Sequence, residues 1–153
     1  MKQEIIVELK KGKLIAFDKV IEISCIVRNE TNNRRKDEVV KSIPTGLPIQ
    51  PRQFPIGTWN VHKPLPRTSD YLRPYFIPTD AWQMLPVWEL DSKGNYKAPT
   101  DVCVRDEGYG LHFSTSRTTQ GCIRISKQED LLFLVKKINE VLDKKDSVIL
   151  TVV

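Results

Sequence analysis

The first 27 residues carry apolar side chains at alternate positions, a pattern typical of strands that bury one face. Ile5, Val7 and Leu9 recur with a period of two, KKGK predicts a turn, and LIAF resumes the pattern. VIEISCIV, residues 20–27, predicts a third strand, with Cys25 as a small core side chain. The chain is therefore expected to begin with three consecutive strands.

Near the carboxyl end the spacing of apolar residues becomes helical. The residues on this stripe are Leu131, Leu134, Val135, Ile138, Val141 and Leu142. Ser126 and Glu129 have the spacing of a capping box, in which a hydroxyl and a carboxylate each satisfy a backbone N–H. The pattern predicts a helix over 126–142, and SVILTVV predicts a buried closing strand over 147–153. The expected fold is mostly β, a sandwich of two packed sheets with one main carboxyl-terminal helix and a closing strand.

All ten prolines lie between residues 44 and 99, and this distribution argues against central strands or long helices there. Within the segment, FPIGTWNVH predicts a turn and a short strand over 58–62. Residues 65–88, rich in Trp and Tyr, are expected to form an ordered loop. Two interpretations of its aromatic residues stay open: they line a substrate cleft, or they fill the core. DSKGN predicts a turn.

Length and composition are those of one globular domain spanning residues 1–153, with 40% apolar and 28% charged residues. No apolar run approaches the ~18 residues that span a membrane, and the amino terminus lacks the apolar stretch of a signal peptide. The net charge of +5 suits an anionic partner, but it is also typical of an ordinary solvated surface. Acidic neighbours dilute the basic run at 34–36 and no aromatic residue interleaves, so we do not expect nucleic acid as a partner.

Three cysteines, Cys25, Cys103 and Cys122, cannot all pair within one chain, so at least one thiol is expected to be free. The chain has no CxxC pair, so we expect no structural zinc site. We also expect no other metal and no cofactor. A free cysteine is available for chemistry.

The stretch LHFSTSRTTQGCIRIS, residues 111–126, places one of the two histidines ten residues before Cys122. If it forms a hairpin centred on Arg117, His112 faces Cys122 across the ladder, with Cβ atoms about 4.5–5.5 Å apart. The period of two then separates an apolar face from a polar one. The apolar face has Leu111, Phe113, Ile123 and Ile125, and the polar face has His112, Ser114, Cys122 and Arg124.

This polar face has the groups that nucleophilic catalysis by a thiol requires. An imidazole within hydrogen-bond reach can deprotonate Cys122 and so produce a potent nucleophile. Gly121 allows another backbone or a substrate to approach, and the N–H groups of Gly121 and Cys122 are candidates to stabilise an oxyanion. Arg124 is expected to hold a substrate carboxylate, with Ser114 beside it. The alternative is that His112 and Cys122 are two structural residues brought together by chance.

The sequence GLHFSTSRTTQGCIRIS resembles the signature of L,D-transpeptidase (YkuD-type) catalytic domains, and FPIGTWNV, RPYF and GYGLH resemble other family segments. The resemblance implies a nucleophile at Cys122, a general base at His112 and a substrate-facing arginine at Arg124. It implies cleavage of peptidoglycan stem peptides between the L-centre of a diamino acid and a terminal D-alanine. The acyl group then passes to an amine, which cross-links two stems, or to water. The implied location is the cell envelope, to which the protein would have to be delivered.

Two other functions are compatible with the residues. A cysteine peptidase of chymotrypsin type would use His62 as its base, although that class expects a glycine soon after the nucleophile and Ile123 stands there. A non-catalytic basic module that binds wall polymer or nucleic acid would leave Cys122 inert.

Overall fold

The chain was analysed in a computed structural model. It describes residues 2–26, 48–50, 52–69, 72–115, 119 and 121–153. The basic run at 34–36 and Arg117, the centre of the expected hairpin, lie outside the described residues.

The three strands expected at the amino terminus are present and form an antiparallel meander. They are β1 (Lys2–Glu8), β2 (Lys13–Ala16) and β3 (Lys19–Ser24). The buried side chains of each strand lie two positions apart, because the apolar residues recur with the period of a strand. Cys25 directly follows β3 and is buried, as predicted.

The rest of the described chain adds eight strands and one helix. They are β4 (Gly57–Asn60), β5 (Leu65–Pro66), β6 (Tyr75–Pro78), β7 (Trp82–Leu90), β8 (Tyr96–Glu107), β9 (Gly110–Phe113), β10 (Ile123–Ile125), α1 (Gln128–Asp143) and β11 (Ser147–Val152). The fold is mostly β with one carboxyl-terminal helix and a closing strand, as predicted.

Among the described residues, nine strands form one sheet in the order β4-β11-β1-β2-β3-β10-β9-β6-β5, and β7 and β8 form a separate hairpin. The two sheets expected from the sequence are therefore continuous, because β3 pairs with β2 on one side and with β10 on the other. The pairs β1–β11 and β9–β10 are parallel.

The sheet curls until strands from its two ends meet. Val61, just after β4, bridges Thr79, just after β6, although β4 and β6 lie near opposite ends of the strand order. The N–H of Asp80 donates to the carbonyl of Asn60 at 3.1 Å, and the N–H of His62 donates to that of Pro78 at 2.9 Å. Helix α1 contacts β11 from one half and β6, β9 and β10 from the other. A single apolar core consequently lies between the helix and both halves.

Helix α1 confirms the predicted helix, but the predicted capping box is wrong. The residue before the first turn is Lys127, in an extended conformation, and no side chain of the described residues caps the helix. Ser126 is still held by the sheet, because its N–H donates to the carbonyl of Glu22 at 3.1 Å and so extends the β3–β10 ladder. Ser126 therefore continues the β3–β10 ladder instead of capping helix α1, the role that its spacing from Glu129 had predicted.

The loop expected over 65–88 is replaced largely by strands, including the nine-residue β7. Pro86 lies inside β7 opposite Cys103, where the register shifts before Trp88. A proline, which lacks a backbone N–H, is tolerated at such an irregularity of the ladder. The strand expected over 58–62 and the DSKGN turn are both present, the latter closed by bonds from Lys93 and Asn95 to the Asp91 carboxylate.

Candidate active site

The expected hairpin between His112 and Cys122 is wrong, because β9 and β10 are parallel. His112 faces Arg124 in this ladder, and Leu111 faces Ile123. The direction of β10 follows from its antiparallel pairing with β3, which places Arg124 opposite Ser24. The spacing of ten residues therefore does not make His112 and Cys122 direct partners.

The predicted division into two faces does hold. Leu111, Ile123 and Ile125 are fully buried in the core. His112 and Arg124 belong to the opposite face, where a row of four residues crosses β6, β9, β10 and β3. The row is Phe76, His112, Arg124 and Ser24. Successive side chains of a strand point to opposite faces of the sheet in both parallel and antiparallel ladders. The face on which His112 and Arg124 lie could therefore be predicted, although the residue opposite each of them could not.

Cys122 directly precedes β10 and has the parity of Arg124, two residues further on. Extending the register of β9 and β10 places it beside Gly110, on the face that carries His112. A Cβ at Gly110 would lie 2.4 Å from two ring carbons of Phe76, so the Phe76 ring covers this glycine. With the register extended in this way, Cys122 and His112 are diagonal neighbours, next to the Phe76 ring, which was not among the candidate site residues.

His112 is 9% exposed, and its Nδ1 lies 3.2 Å from the carbonyl oxygen of Phe113. A carbonyl only accepts hydrogen bonds, so Nδ1 carries the proton and Nε2 has the lone pair of a base. Burial lowers the pKa of His112, the hydrogen bond to the Phe113 carbonyl opposes this in part, and the positive charge of Arg124 makes a smaller contribution in the same direction as burial. The imidazole is neutral at pH 7 and can accept a proton.

Arg124 is half-buried, and its guanidinium is partly committed to the protein. Its Nη1 donates to the carbonyl of Ser114 at 2.6 Å, while its Nε is buried and has no partner among the described residues. The bond fixes the chain where it leaves β9. The predicted contact of Arg124 with a substrate carboxylate stays a prediction. The structure shows a second role for Arg124, which is to hold the backbone at Ser114 through this hydrogen bond.

Gly121 permits the close backbone approach that the sequence predicted. Its φ is +122°, and a Cβ there would lie 2.7 Å from the carbonyl oxygen of Arg52 and 2.8 Å from the Tyr109 ring. Its N–H donates to the hydroxyl of Thr119 at 3.1 Å, and this hydroxyl donates to the carbonyl of Cys122 at 2.8 Å. The Gly121 N–H is thus bonded to Thr119 in this structure, and the oxyanion role expected of the Gly121 and Cys122 N–H groups stays a prediction.

Tyr109, which supports Gly121, is fully buried and sits in a polar network that the sequence analysis missed. Its hydroxyl donates to the buried carboxylate of Asp106 and accepts from Gln83 Nε2 at 2.8 Å. Thr79 donates through its hydroxyl to the Tyr109 carbonyl at 2.6 Å. The only sequence signal was the GYG triplet itself, whose second glycine, Gly110, leaves room for the Phe76 ring.

Two cavities flank this region. One, of about 330 Å³, adjoins the carboxyl end of β9 and is lined by Arg73, Pro74, Phe113, Ser114, Thr115 and Gln128. The other, of about 480 Å³, lies between residues 52–56 and residues 83–86, on the side of Gly121. Both are within the range of volumes of small-molecule sites.

Cys25, Cys103 and His62 do not have the surroundings of Cys122 and His112. Burial, and to a smaller extent the neighbouring Cys122, raise the pKa of Cys25 to about 12, so Cys25 stays a thiol. Cys103 is exposed on β8. His62 bonds to Pro78 of β6, which is separated from Cys122 by β9. At about 4.8 Å per strand spacing, three spacings place His62 roughly 14 Å from Cys122, too far for a direct base.

Comparison with protein-family models, curated proteins and solved structures gave no match. Within the part of the chain that the structure describes, no cluster of three or more His, Cys, Asp or Glu side chains is arranged to hold a metal ion. No helix of the described residues has the length and apolarity needed to span a membrane.

Proposed function

We propose that this protein is a cysteine acyltransferase of L,D-transpeptidase type that acts on peptidoglycan stem peptides in the cell envelope. The observation that carries the proposal is a buried, neutral His112 whose Nδ1–H is held by a backbone carbonyl. Nε2 is therefore the basic nitrogen, and His112 lies on the sheet face on which the extended β9–β10 register places Cys122. A general base needs one ring nitrogen with its lone pair available, and this tautomer provides it at Nε2.

In the first half-reaction, Nε2 of His112 takes the proton of the Cys122 thiol. The thiolate attacks the carbonyl carbon of the diamino acid, and the N–H of Cys122 stabilises the oxyanion. The tetrahedral intermediate collapses to a thioester when His112 returns the proton to the departing D-alanine amine. In the second half-reaction, His112 deprotonates an incoming amine or water, which attacks the thioester and releases Cys122 as a thiol.

The test is acylation by a carbapenem, a β-lactam whose ring opens on attack by a nucleophile. Mass spectrometry of the intact protein should show one adduct, located by peptide mapping at Cys122. Cys122→Ala should abolish it, and Cys103→Ala, which removes an exposed thiol outside the site, should leave it unchanged. An adduct that persists in Cys122→Ala, or no adduct on the parent protein, would contradict the proposal and favour a binding module.

A further inference from the structure

We propose that Ile26 and the ring of Phe76 form the two apolar walls of a slot over Cys122, and that the slot admits an acyl donor only when its reacting residue has no branch at the β-carbon. The inference rests on the proposed function, for which it defines the class of acyl donor. It also gives a role to the apolar side chain of Ile26, which is 61% exposed. Neither wall is among the site residues that the sequence analysis expected.

The first wall is the ring of Phe76, which occupies the position across the ladder from Cys122. Phe76 pairs with His112, and its ring reaches along β9 to Gly110, where a Cβ would lie 2.4 Å from two of the ring carbons. The extended β9–β10 register places Gly110 opposite Cys122, one strand spacing or about 4.8 Å away. The ring therefore takes the place of a side chain at Gly110, directly beside Cys122.

The second wall is Ile26, on the other side of Cys122. Strands β3 and β10 are antiparallel with Arg124 opposite Ser24, so extending that register by two residues places Ile26 opposite Cys122. The alternation of burial along β3 continues past its end, because Cys25 is buried and Ile26 is exposed. Ile26 therefore lies on the face of Ser24 and Arg124, which is also the face of Cys122.

Thr119 holds the second wall next to the nucleophile. Its N–H donates to the Ile26 carbonyl at 2.9 Å, and its hydroxyl donates to the Cys122 carbonyl at 2.8 Å. Thr119 is only 5% exposed, so water has little access to compete for these bonds. Ile26 and Cys122 are thus fixed to the same buried residue, and the distance between them is set by the protein and not by a ligand.

The width of the slot follows from the spacing of the strands. The backbones at Gly110 and Ile26 lie two strand spacings apart, about 10 Å, with Cys122 between them. A methylene chain that contacts carbon atoms on both sides at about 3.5–4.0 Å needs about 7–8 Å between those atoms. The wall side chains themselves take up the remainder, so the slot has no width for a second carbon beside the chain.

This width decides which acyl donors can react. The sulfur bonds to the reacting carbonyl carbon, so the residue that bears this carbonyl lies between the walls. Its α-carbon carries the peptide nitrogen and the side chain, which can run in opposite directions along the slot. A methylene at the β-carbon fits, whereas a second carbon there meets Ile26 or Phe76. A diamino acid with a straight side chain is therefore admitted, and valine and isoleucine are excluded.

The test uses two isomeric alkylating reagents, the chloromethyl ketones of N-acetyl-norvaline and N-acetyl-valine, which differ only in the branch at the β-carbon. The sulfur displaces chloride to form a thioether and the thiol proton is released, so no peptide has to be turned over. Peptide mapping gives the rates at Cys122 and at the exposed Cys103, the reference thiol in the same molecule. We expect the norvaline reagent to react at least about tenfold faster than the valine reagent at Cys122, and at a similar rate at Cys103.

Removing either wall should remove this selectivity. Ile26→Ala and Phe76→Ala should each bring the ratio of the two rates at Cys122 close to the ratio at Cys103. Ile26→Ala is the more direct variant, because an exposed side chain can be shortened without opening the core. Val20→Ala is the matched control, since Val20 is 60% exposed on the same face but about 20 Å from Ile26 along the direction of β3. It should leave the ratio unchanged.

Equal ratios at Cys122 and Cys103 in the parent protein, no alkylation of Cys122 by either reagent, or a ratio that survives Ile26→Ala or a folded Phe76→Ala would each overturn the inference. A ratio that Val20→Ala lowers as far as Ile26→Ala does would overturn it too. The carbapenem adduct separates this failure from failure of the proposed function. An adduct at Cys122 together with equal ratios would reject the slot alone, and a selective slot without an adduct would reject the transferase alone.

Discussion

Gly121→Ala is the substitution that tests most directly how the start of β10 is held. A Cβ there would approach the Arg52 carbonyl oxygen to 2.7 Å and the Tyr109 ring to 2.8 Å, at a φ of +122° that L side chains rarely adopt. The backbone strain costs about 1–3 kcal/mol, and the overpacking costs about the same again. Domains are stable by only about 5–15 kcal/mol, so the loss is a large fraction of the total. At about 2–4 °C per kcal/mol for a chain of this size, the melting temperature should fall by at least about 5 °C.

The assay is thermal unfolding followed by circular dichroism, together with the rate of carbapenem acylation well below the melting temperature. Acylation should slow by at least about tenfold, because a displacement of order 1 Å at a reacting group costs up to about 100-fold. Gly94→Ala is the matched control, since Gly94 has a φ of +82° but no atom within 4 Å of its Cβ position. If Gly121→Ala were no less stable than Gly94→Ala and equally reactive, the close packing behind Cys122 would be refuted.

Three further outcomes follow from His112 and its neighbours. His112→Gln should slow acylation of Cys122 by about 10²–10⁴-fold with the protein still folded, and an unchanged rate would remove His112 as the base. Burial, and to a smaller extent Arg124, lower the pKa of His112, so the acylation rate should begin to fall only below pH 6.5 as the imidazole becomes protonated. Arg124→Gln should move this fall to higher pH. If the pH at which the rate falls is the same in Arg124→Gln, the charge effect of Arg124 is excluded. Below pH 6.5 the unfolded state binds a proton more readily than the folded state, so the free energy of unfolding should fall as the pH falls through the folded pKa of His112. Urea unfolding at pH 5 and pH 7 measures this difference in the free energy of unfolding, and the difference should be smaller in His112→Gln than in the parent protein. A parent protein that is equally stable at both pH values would contradict the lowered pKa of His112.

Local periodicity was sufficient to predict the strands at the amino terminus, the helix and the two faces of β9 and β10. Each of these depends on side chains a few residues apart along one element. The pairing of β9 with β10 depends instead on β3 and β6, which flank the pair and are remote in sequence. The same distant pairing explains the failed capping box, because the carbonyl of Glu22 holds Ser126 in the ladder. Spacing singled out the candidate residues His112, Cys122 and Arg124, but it could not identify which residues they pair with in the sheet.

Two neighbouring rings of the aromatic segment, Tyr75 and Phe76, show how tertiary context separates residues that composition treats alike. Tyr75 packs against the apolar core. Phe76, the next residue on β6, covers Gly110 in the row that contains His112. Filling the core is therefore shown for Tyr75, while the lining of a substrate cleft stays a prediction. Composition could not separate the two, because successive side chains of a strand lie on opposite faces of the sheet.

The two glycines next to Cys122 explain why rings from distant segments belong to the candidate site. Gly110 adjoins Cys122 across the ladder and is covered by Phe76, while Gly121 precedes Cys122 and contacts Tyr109. A side chain at either position would displace a ring or the backbone that supports the thiol. Phe76 is partly buried and Tyr109 is fully buried, and the Tyr109 hydroxyl is already bonded to Asp106 and Gln83. The two rings therefore support the start of β10 by packing, and the proton transfer that we propose is left to His112.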